Sequence, residues 1–352
     1  MKNNFIHKLF IVAIISAFCI NGFAGPRSKR GLSAAPELLI PVGSIGTSLS
    51  GSNLANVTGV EAIYWNPSGL ATVNSNTGEV IFSHQKYIAD IDVNYFAGAY
   101  KLGSIGNIGV SVKALGFGDI EVTTVDAPEG TGETFSPTYI TLGLTYARAM
   151  TDRILFGTNV KLITERITNE SATGVAFDFG LQYIVGKSGL KFGVALKNLG
   201  PSMRFDGPDL EGFYQPEGTP GGTRNEPRRV TLGDFELPTS LSLGISYDLG
   251  VGKNNGVTFN ALFQNNSYSP DDYSLGLEYN FKKIFYLRGA YNFDQDFFES
   301  TEARDDRLWG PTFGAGLRYT FGNVNVSFDY AYRYVSKNAF SQNQFFTLGL
   351  GF

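Results

Sequence analysis

A period of two runs through most of this chain. From Val324 to Tyr334, alternate residues are Val324, Val326, Phe328, Tyr330, Tyr332 and Tyr334. Between them lie Asn325, Ser327, Asp329, Ala331 and Arg333. Successive side chains of a strand point to opposite faces, so one face here is apolar or aromatic and the other polar or small. Phe346, Leu348, Leu350 and Phe352 alternate in the same way with Thr347, Gly349 and Gly351. So do Tyr273 to Phe281, Leu241 to Leu249, Phe313 to Phe321 and Ile140 to Tyr146. A helix cannot use such a pattern, because its apolar stripe needs a period near 3.6.

The alternation predicts about fourteen strands. They lie near 77–88, 92–102, 106–116, 138–149, 153–165, 173–185, 189–200, 236–249, 255–267, 271–282, 284–295, 308–321, 323–335 and 341–352. A soluble sandwich alternates too, with its apolar face inward. Three features favour a membrane. The strands are long enough for a tilted bilayer crossing. Tyr and Phe gather near strand ends, as in an interfacial girdle. The polar face is rich in Gly and carries charges, which suits a lumen. Charged residues make up 17% of the chain, where a soluble chain has about a quarter. The expected fold class is therefore all-β: a transmembrane antiparallel β-barrel of about 14 strands, closed because lipid offers no partner to an open sheet edge.

The connections sort by parity. Those after even strands are tight, such as Gly103-Ser104, Lys282-Lys283 and Gly322-Asn323. The long ones, near 117–137, 201–235 and 296–307, all follow odd strands. A spanning barrel has short periplasmic turns and longer external loops.

Residues 1–24 read as a signal peptide. Lys2 and Lys8 precede an apolar run from Leu9 to Ile20, and Gly22-Phe23-Ala24 offers a cleavage site. The run is too short to span a bilayer as a helix. It contains the one cysteine, Cys19, so cleavage after Ala24 leaves no thiol for disulfides or catalysis. The expected destination is the outer membrane of a Gram-negative bacterium. Residues 25–76 show no clear period, and the barrel is expected over 77–352.

The inward parity positions include Asp178, Asp248, Glu278, Arg318, Asp329 and Arg333. They either line a substrate path or pair with one another in a polar lumen. Asp294, Asp296, Glu299, Glu302, Asp305 and Asp306 form an acidic loop whose spacing matches no EF-hand, so no metal is expected. His84 has no partner cluster. Leu115-Gly116-Phe117-Gly118 ends a strand with no helix following, which excludes a nucleotide loop. No nucleophile-base set or carboxylate pair can be assembled, so neither catalysis nor a cofactor is expected. A net charge of −4 gives no basic face for nucleic acid. The loop at 201–235, with five prolines and Arg228-Arg229, reads as a lid, a docking surface or a disordered external loop.

Ahead of the barrel lies Glu61-Ala62-Ile63-Tyr64-Trp65-Asn66-Pro67-Ser68-Gly69-Leu70-Ala71, preceded by Pro41-Val42-Gly43-Ser44-Ile45-Gly46. Locally this is a tight turn flanked by aromatics. The stretch resembles the signature of PorV/PorQ-family outer-membrane proteins, which look like relatives of FadL-type fatty acid transporters. The resemblance implies a fourteen-stranded barrel with residues 25–76 folded inward as a plug. Trp65, Asn66, Pro67, Gly69 and Leu70 would belong to that plug, as packing or as ligand contacts. It implies passage of small hydrophobic molecules, or an accessory role in type IX secretion that receives cargo at the surface. Phe352 resembles the terminal aromatic signal of barrel-assembly machinery, and outer-membrane lipid is the expected surround.

Overall fold

The computed structural model describes residues 31–73, 77–215, 218, 220, 226–294, 297, 308–337 and 340–352. The expected signal peptide, and all of the acidic loop except Asp294, lie outside the described residues. Fourteen antiparallel strands form a closed barrel. They are β1 Gly78–Lys86, β2 Asp92–Lys101, β3 Asn107–Gly116, β4 Thr138–Ala149, β5 Ile154–Ile167, β6 Glu170–Ile184 and β7 Leu190–Leu199. The other half holds β8 Ser240–Val251, β9 Asn255–Asn266, β10 Asp272–Phe281, β11 Phe285–Asp294, β12 Trp309–Phe321, β13 Val324–Val335 and β14 Asn343–Gly351.

Closure joins the two ends of this order. Phe82 of β1 faces Leu348 of β14, and Glu79 faces Gly351. The Phe352 carbonyl accepts from the backbone N–H groups of Thr77 and Gly78, at 2.7 and 3.0 Å. Every ladder therefore has a neighbour on both sides, as hydrocarbon demands. The alternation sorts the side chains. Leu144, Leu277, Leu287, Phe313 and Phe346 stay exposed around the outside, while Thr145, Asp178, Ser246 and Asp329 are buried within. A buried polar interior under an apolar exterior is the reverse of a soluble fold.

One end has short turns only; the long loops are at the other, together with the two-residue turn Thr168-Asn169. Lys282 and Lys283 both take positive φ, +54° and +56°, as a two-residue hairpin turn requires. Two strand starts differ from the alternation reading by three residues or more. β6 begins at Glu170 rather than near 173, because Thr168 at φ +51° turns the chain within two residues. β8 begins at Ser240 rather than 236, since Pro238 has no N–H for a ladder. The long loops carry some structure of their own. Glu211–Tyr214 pairs with Glu226–Arg229, Met203 bridges to Phe235, and Ile120 pairs with Phe135.

Residues 31–73 form a chain of single-turn helices that packs against all fourteen strands from within. The turns are Pro36–Leu39, Ser44–Ser48, Ser52–Ala55, Gly59–Glu61, Ala62–Trp65 and Pro67–Ala71. Short turns suit this position, because a polar wall offers hydrogen bonds in many directions. Ser44 donates its backbone N–H to Thr347 Oγ1 at 2.9 Å, and Gln182 Nε2 donates to the Leu54 and Val57 carbonyls. Candidate apolar anchors are present too. Ile40, Val42, Val60, Ile63 and Leu70 bury against Ile81, Val93 and Leu115 of the wall.

Candidate functional site

The Trp65-to-Leu70 motif has a local physical account. Asn66 is fully buried and caps the turn Pro67–Ala71. Its Oδ1 accepts from the Ser68 hydroxyl at 2.8 Å, and its Nδ2 donates to the Leu54 carbonyl at 2.9 Å. Pro67 takes the first helical position, where its missing N–H costs nothing. The turn then lies directly on the wall. A Cβ at Gly180 would overlap Asn66 Oδ1, and one at Gly157 would overlap the Pro67 carbonyl. Glycine at these two wall positions lets the backbone of the turn approach. Leu70 is completely buried. Asn66, Pro67, Gly69 and Leu70 are thus packing residues, and only Trp65 of the motif faces open space.

That space is a vestibule of about 260 Å³ in the long-loop half of the lumen. Pro41, Ser50, Gly51, Tyr64 and Trp65 line it from the inner segment. Asn198, Gln264, Asn266, Asn292, Trp309 and Arg333 line it from the wall. Two cations sit on aromatic faces here. Lys197 Nζ is 4.2 Å from the Tyr64 ring centre and 5.8 Å from that of Trp65. The Arg333 guanidinium lies 3.6 Å from the Trp309 ring centre. Such stacking holds a cation against an aromatic face. Tyr64 is fixed by donating its hydroxyl to the Ile40 carbonyl at 2.9 Å, and Trp65 Nε1 donates to the Val42 carbonyl at 3.1 Å. Beyond Tyr64 lies a second cavity of about 30 Å³, lined by Ile63, Tyr95, Lys113 and Lys161. Leu38 and Tyr64 line both, so they form the partition between them.

The six inward charges fall into different settings. Asp178 pairs with Lys161 at 2.7 Å and accepts from the Asn198 backbone at 2.8 Å. Asp248 pairs with Lys191 at 2.8 Å near the short-turn end. Glu278 and Asp329 share Arg288, at 2.6 and 2.7 Å. The Arg318 guanidinium stacks on Tyr286 at 4.2 Å. Arg333 alone of the six lines the vestibule. His84 stands outside the lumen, with Nδ1 2.9 Å from Asn94 Oδ1. Among the described residues no group of carboxylates, His or Cys has a metal-binding arrangement.

Sequence reading missed Lys113, Lys161, Arg288, Lys197 and Asn198. The first four were open to the same parity argument. Lys161 lies between outward Val160 and Leu162, and Arg288 between Leu287 and Gly289. Asn198 was not. The ladder of β6 and β7 shifts there, with Phe177 opposite Leu199 but Phe179 opposite Leu196. This bulge turns Asn198 inward beside Lys197, with its backbone N–H on Asp178, where strict alternation would send it outward.

Glu61 of the inner segment abuts the Arg288 cluster and is buried. Burial, then the Asp329 carboxylate, push its pKa up to about 7, against the pull of Arg288 and Arg318. Between pH 4.5 and 7 the folded group keeps a proton that the unfolded one has lost. Its contribution to stability is therefore full below pH 4.5 and lost as pH rises through 7, about 3 kcal/mol in all. Protease protection of residues 31–73 should weaken between pH 5 and 8 in the wild type. In Glu61→Gln this loss of protection should be smaller; an unchanged pH profile would contradict this assignment.

No protein-family model matches the chain, and no curated protein matches it in sequence. Solved structures do match its fold. The P. putida toluene transporter TodX superposes with a TM-score of 0.54 at 13% identity, covering 88% of this chain and 98% of that one. The CymD monoaromatic hydrocarbon channel gives 0.52 at 12%, covering 89% and 97%. A Pseudomonas aeruginosa FadL homologue gives 0.51 at 12%, covering 88% and 98%. The shared fold is the FadL-type fourteen-stranded barrel. With its closed ladder and apolar exterior, the chain is a barrel of the Gram-negative outer membrane.

Proposed function

We propose that the chain passes small hydrophobic molecules across the outer membrane, with residues 31–73 as a plug in the lumen and the vestibule as the first binding site. The observation that carries this reading is the vestibule itself. It lies in the long-loop half of the lumen, is lined by Tyr64 and Trp65, and shares Leu38 and Tyr64 with the inner cavity. A volume of 260 Å³ lies just below the usual ligand-pocket range of about 300–1,000 Å³, so it suits one small ring better than a long acyl chain. Lys197 lets the ring carry a polar or anionic end. The fold neighbours support the reading as toluene and monoaromatic hydrocarbon transporters.

The chain has two tryptophans, Trp65 and Trp309, and both line the vestibule. Tryptophan fluorescence, excited selectively over the 18 tyrosines, therefore reports on this site. Titration with toluene and with benzoate should give a saturable change. The change should be reduced in Trp65→Phe and in Trp309→Phe. A linear, non-saturating response to both probes would sink the binding site.

A secretion role is the second reading, in keeping with the PorV/PorQ-like motif. The hairpin of the loop at 201–235 favours it, since Phe213 and Tyr214 stand exposed on its tip-side strand. Pull-down from a detergent extract of the native host should then recover secreted cargo or translocon components. Recovery of neither, with vestibule binding intact, would leave transport as the function.

A further inference from the structure

The two ends of the barrel carry opposite charge. The loop at 117–137 holds Asp119, Glu121, Asp126, Glu129 and Glu133 and no basic residue. The opposite rim is basic. Its six turns hold Arg153, Lys187, Lys253, Lys282 and Lys283, with Asp152 the one acidic residue. All five basic side chains are on exposed residues, and among the described residues none lies within ion-pair distance of a carboxylate.

The same turns expose apolar side chains. Ile105 and Met150 are 63% and 62% exposed, and Leu102, Ile284 and Phe285 are exposed as well. In water these residues would each be an unfavourable surface. Interleaved with Lys and Arg, they match an interfacial layer, where apolar groups reach the acyl edge and cations meet the phosphates. Turn geometry adds a further observation. Lys282 and Lys283 both occupy left-handed backbone, where Asn-Gly would be the low-strain choice. A Lys-Lys pair there sets two charges on the rim at some cost in backbone strain.

We infer that the short-turn rim binds the headgroups of anionic phospholipid in the periplasmic leaflet. The basic side chains take the phosphate oxygens, and Leu102, Ile105, Met150 and Ile284 seat the turns at the acyl boundary. Attraction to such a surface is electrostatic and falls off within a Debye length. This does not depend on what crosses the lumen.

The test uses the full barrel reconstituted in vesicles of equal phosphatidylglycerol and phosphatidylcholine. It is extracted gently in detergent, and the co-purifying lipid is measured by mass spectrometry. The wild type should retain phosphatidylglycerol several-fold over phosphatidylcholine at low salt, and lose the preference at 1 M salt. A variant with all five basic residues changed to Gln should retain the two lipids equally while keeping the heat-modifiable migration of a folded barrel. Lys282→Gln with Lys283→Gln should give an intermediate ratio, and serves if the five-site variant fails to fold. Equal retention by the wild type, or a preference that survives both the substitutions and high salt, would overturn the inference.

Discussion

Arg288→Met should destabilise the folded barrel by about 3–5 kcal/mol, the usual result of removing one partner from a buried charge pair. The Arg288 side chain is fully buried, and it holds Glu278 through Nε and Asp329 through a terminal nitrogen. Gly316 leaves the room for this contact, because a Cβ there would overlap Asp329 Oδ1. Without the guanidinium, Asp329 would remain buried beside Glu61 with its main cation gone. Urea titration of unfolding in lipid vesicles should show a lower midpoint with an unchanged slope. Adding Asp329→Asn should recover part of the loss, since it removes the stranded charge. A cost below about 1 kcal/mol would mean that water reaches the cluster and that the lumen is open there.

Gly180→Val should displace the inner segment from the wall. The new side chain would occupy the position of Asn66 Oδ1 and press on Pro67 Cδ, 2.9 Å from the added Cβ. Overpacking of this kind costs about 1–3 kcal/mol, more when the obstacle is a capped turn that cannot shift alone. Asn66 would lose its hydrogen bonds to Ser68 and Leu54, which hold the turn in place. The outer wall is untouched, so the variant should still migrate as a folded barrel. In planar bilayers it should show persistent open-channel steps where the wild type is silent. Gly157→Val should behave alike, because its Cβ would strike the Pro67 backbone. Silent bilayers from both variants would mean that the segment does not close the lumen.

The barrel was legible in the sequence because its lipid-facing and lumen-facing residues must alternate. In Val324–Val335 each outward Val, Phe or Tyr marks the register without any knowledge of the neighbouring strands. Boundaries failed where both sides of a turn are polar, as at Thr168-Asn169, or where proline delays a ladder, as at Pro238. The site was legible only in part. Trp65 was found through its motif, but the motif mixes one vestibule residue with four that pack the segment on the wall. Trp309 and Arg333 are far from Trp65 in the chain and meet it only because β12 and β13 close the barrel around the segment. Asn198 depends on a bulge, which breaks the period used to assign faces. The paired charges were assigned to the correct face, but their partners come from neighbouring strands. Register, and not sequence spacing, brings Glu278 opposite Arg288 and Asn159 opposite Asp178.

Uptake tests the account most directly. Cells lacking the protein, cells carrying it, and cells carrying Ser242→Trp should be compared for accumulation of labelled toluene and benzoate. Ser242 lines the vestibule from β8, so an indole there fills the space without altering a residue of the inner segment. The wild type should accumulate at least one of the probes faster than the deletion strain. The Ser242→Trp strain, with folded barrel present in equal amount, should resemble the deletion. Equal uptake of both probes in all three strains would contradict the transport reading.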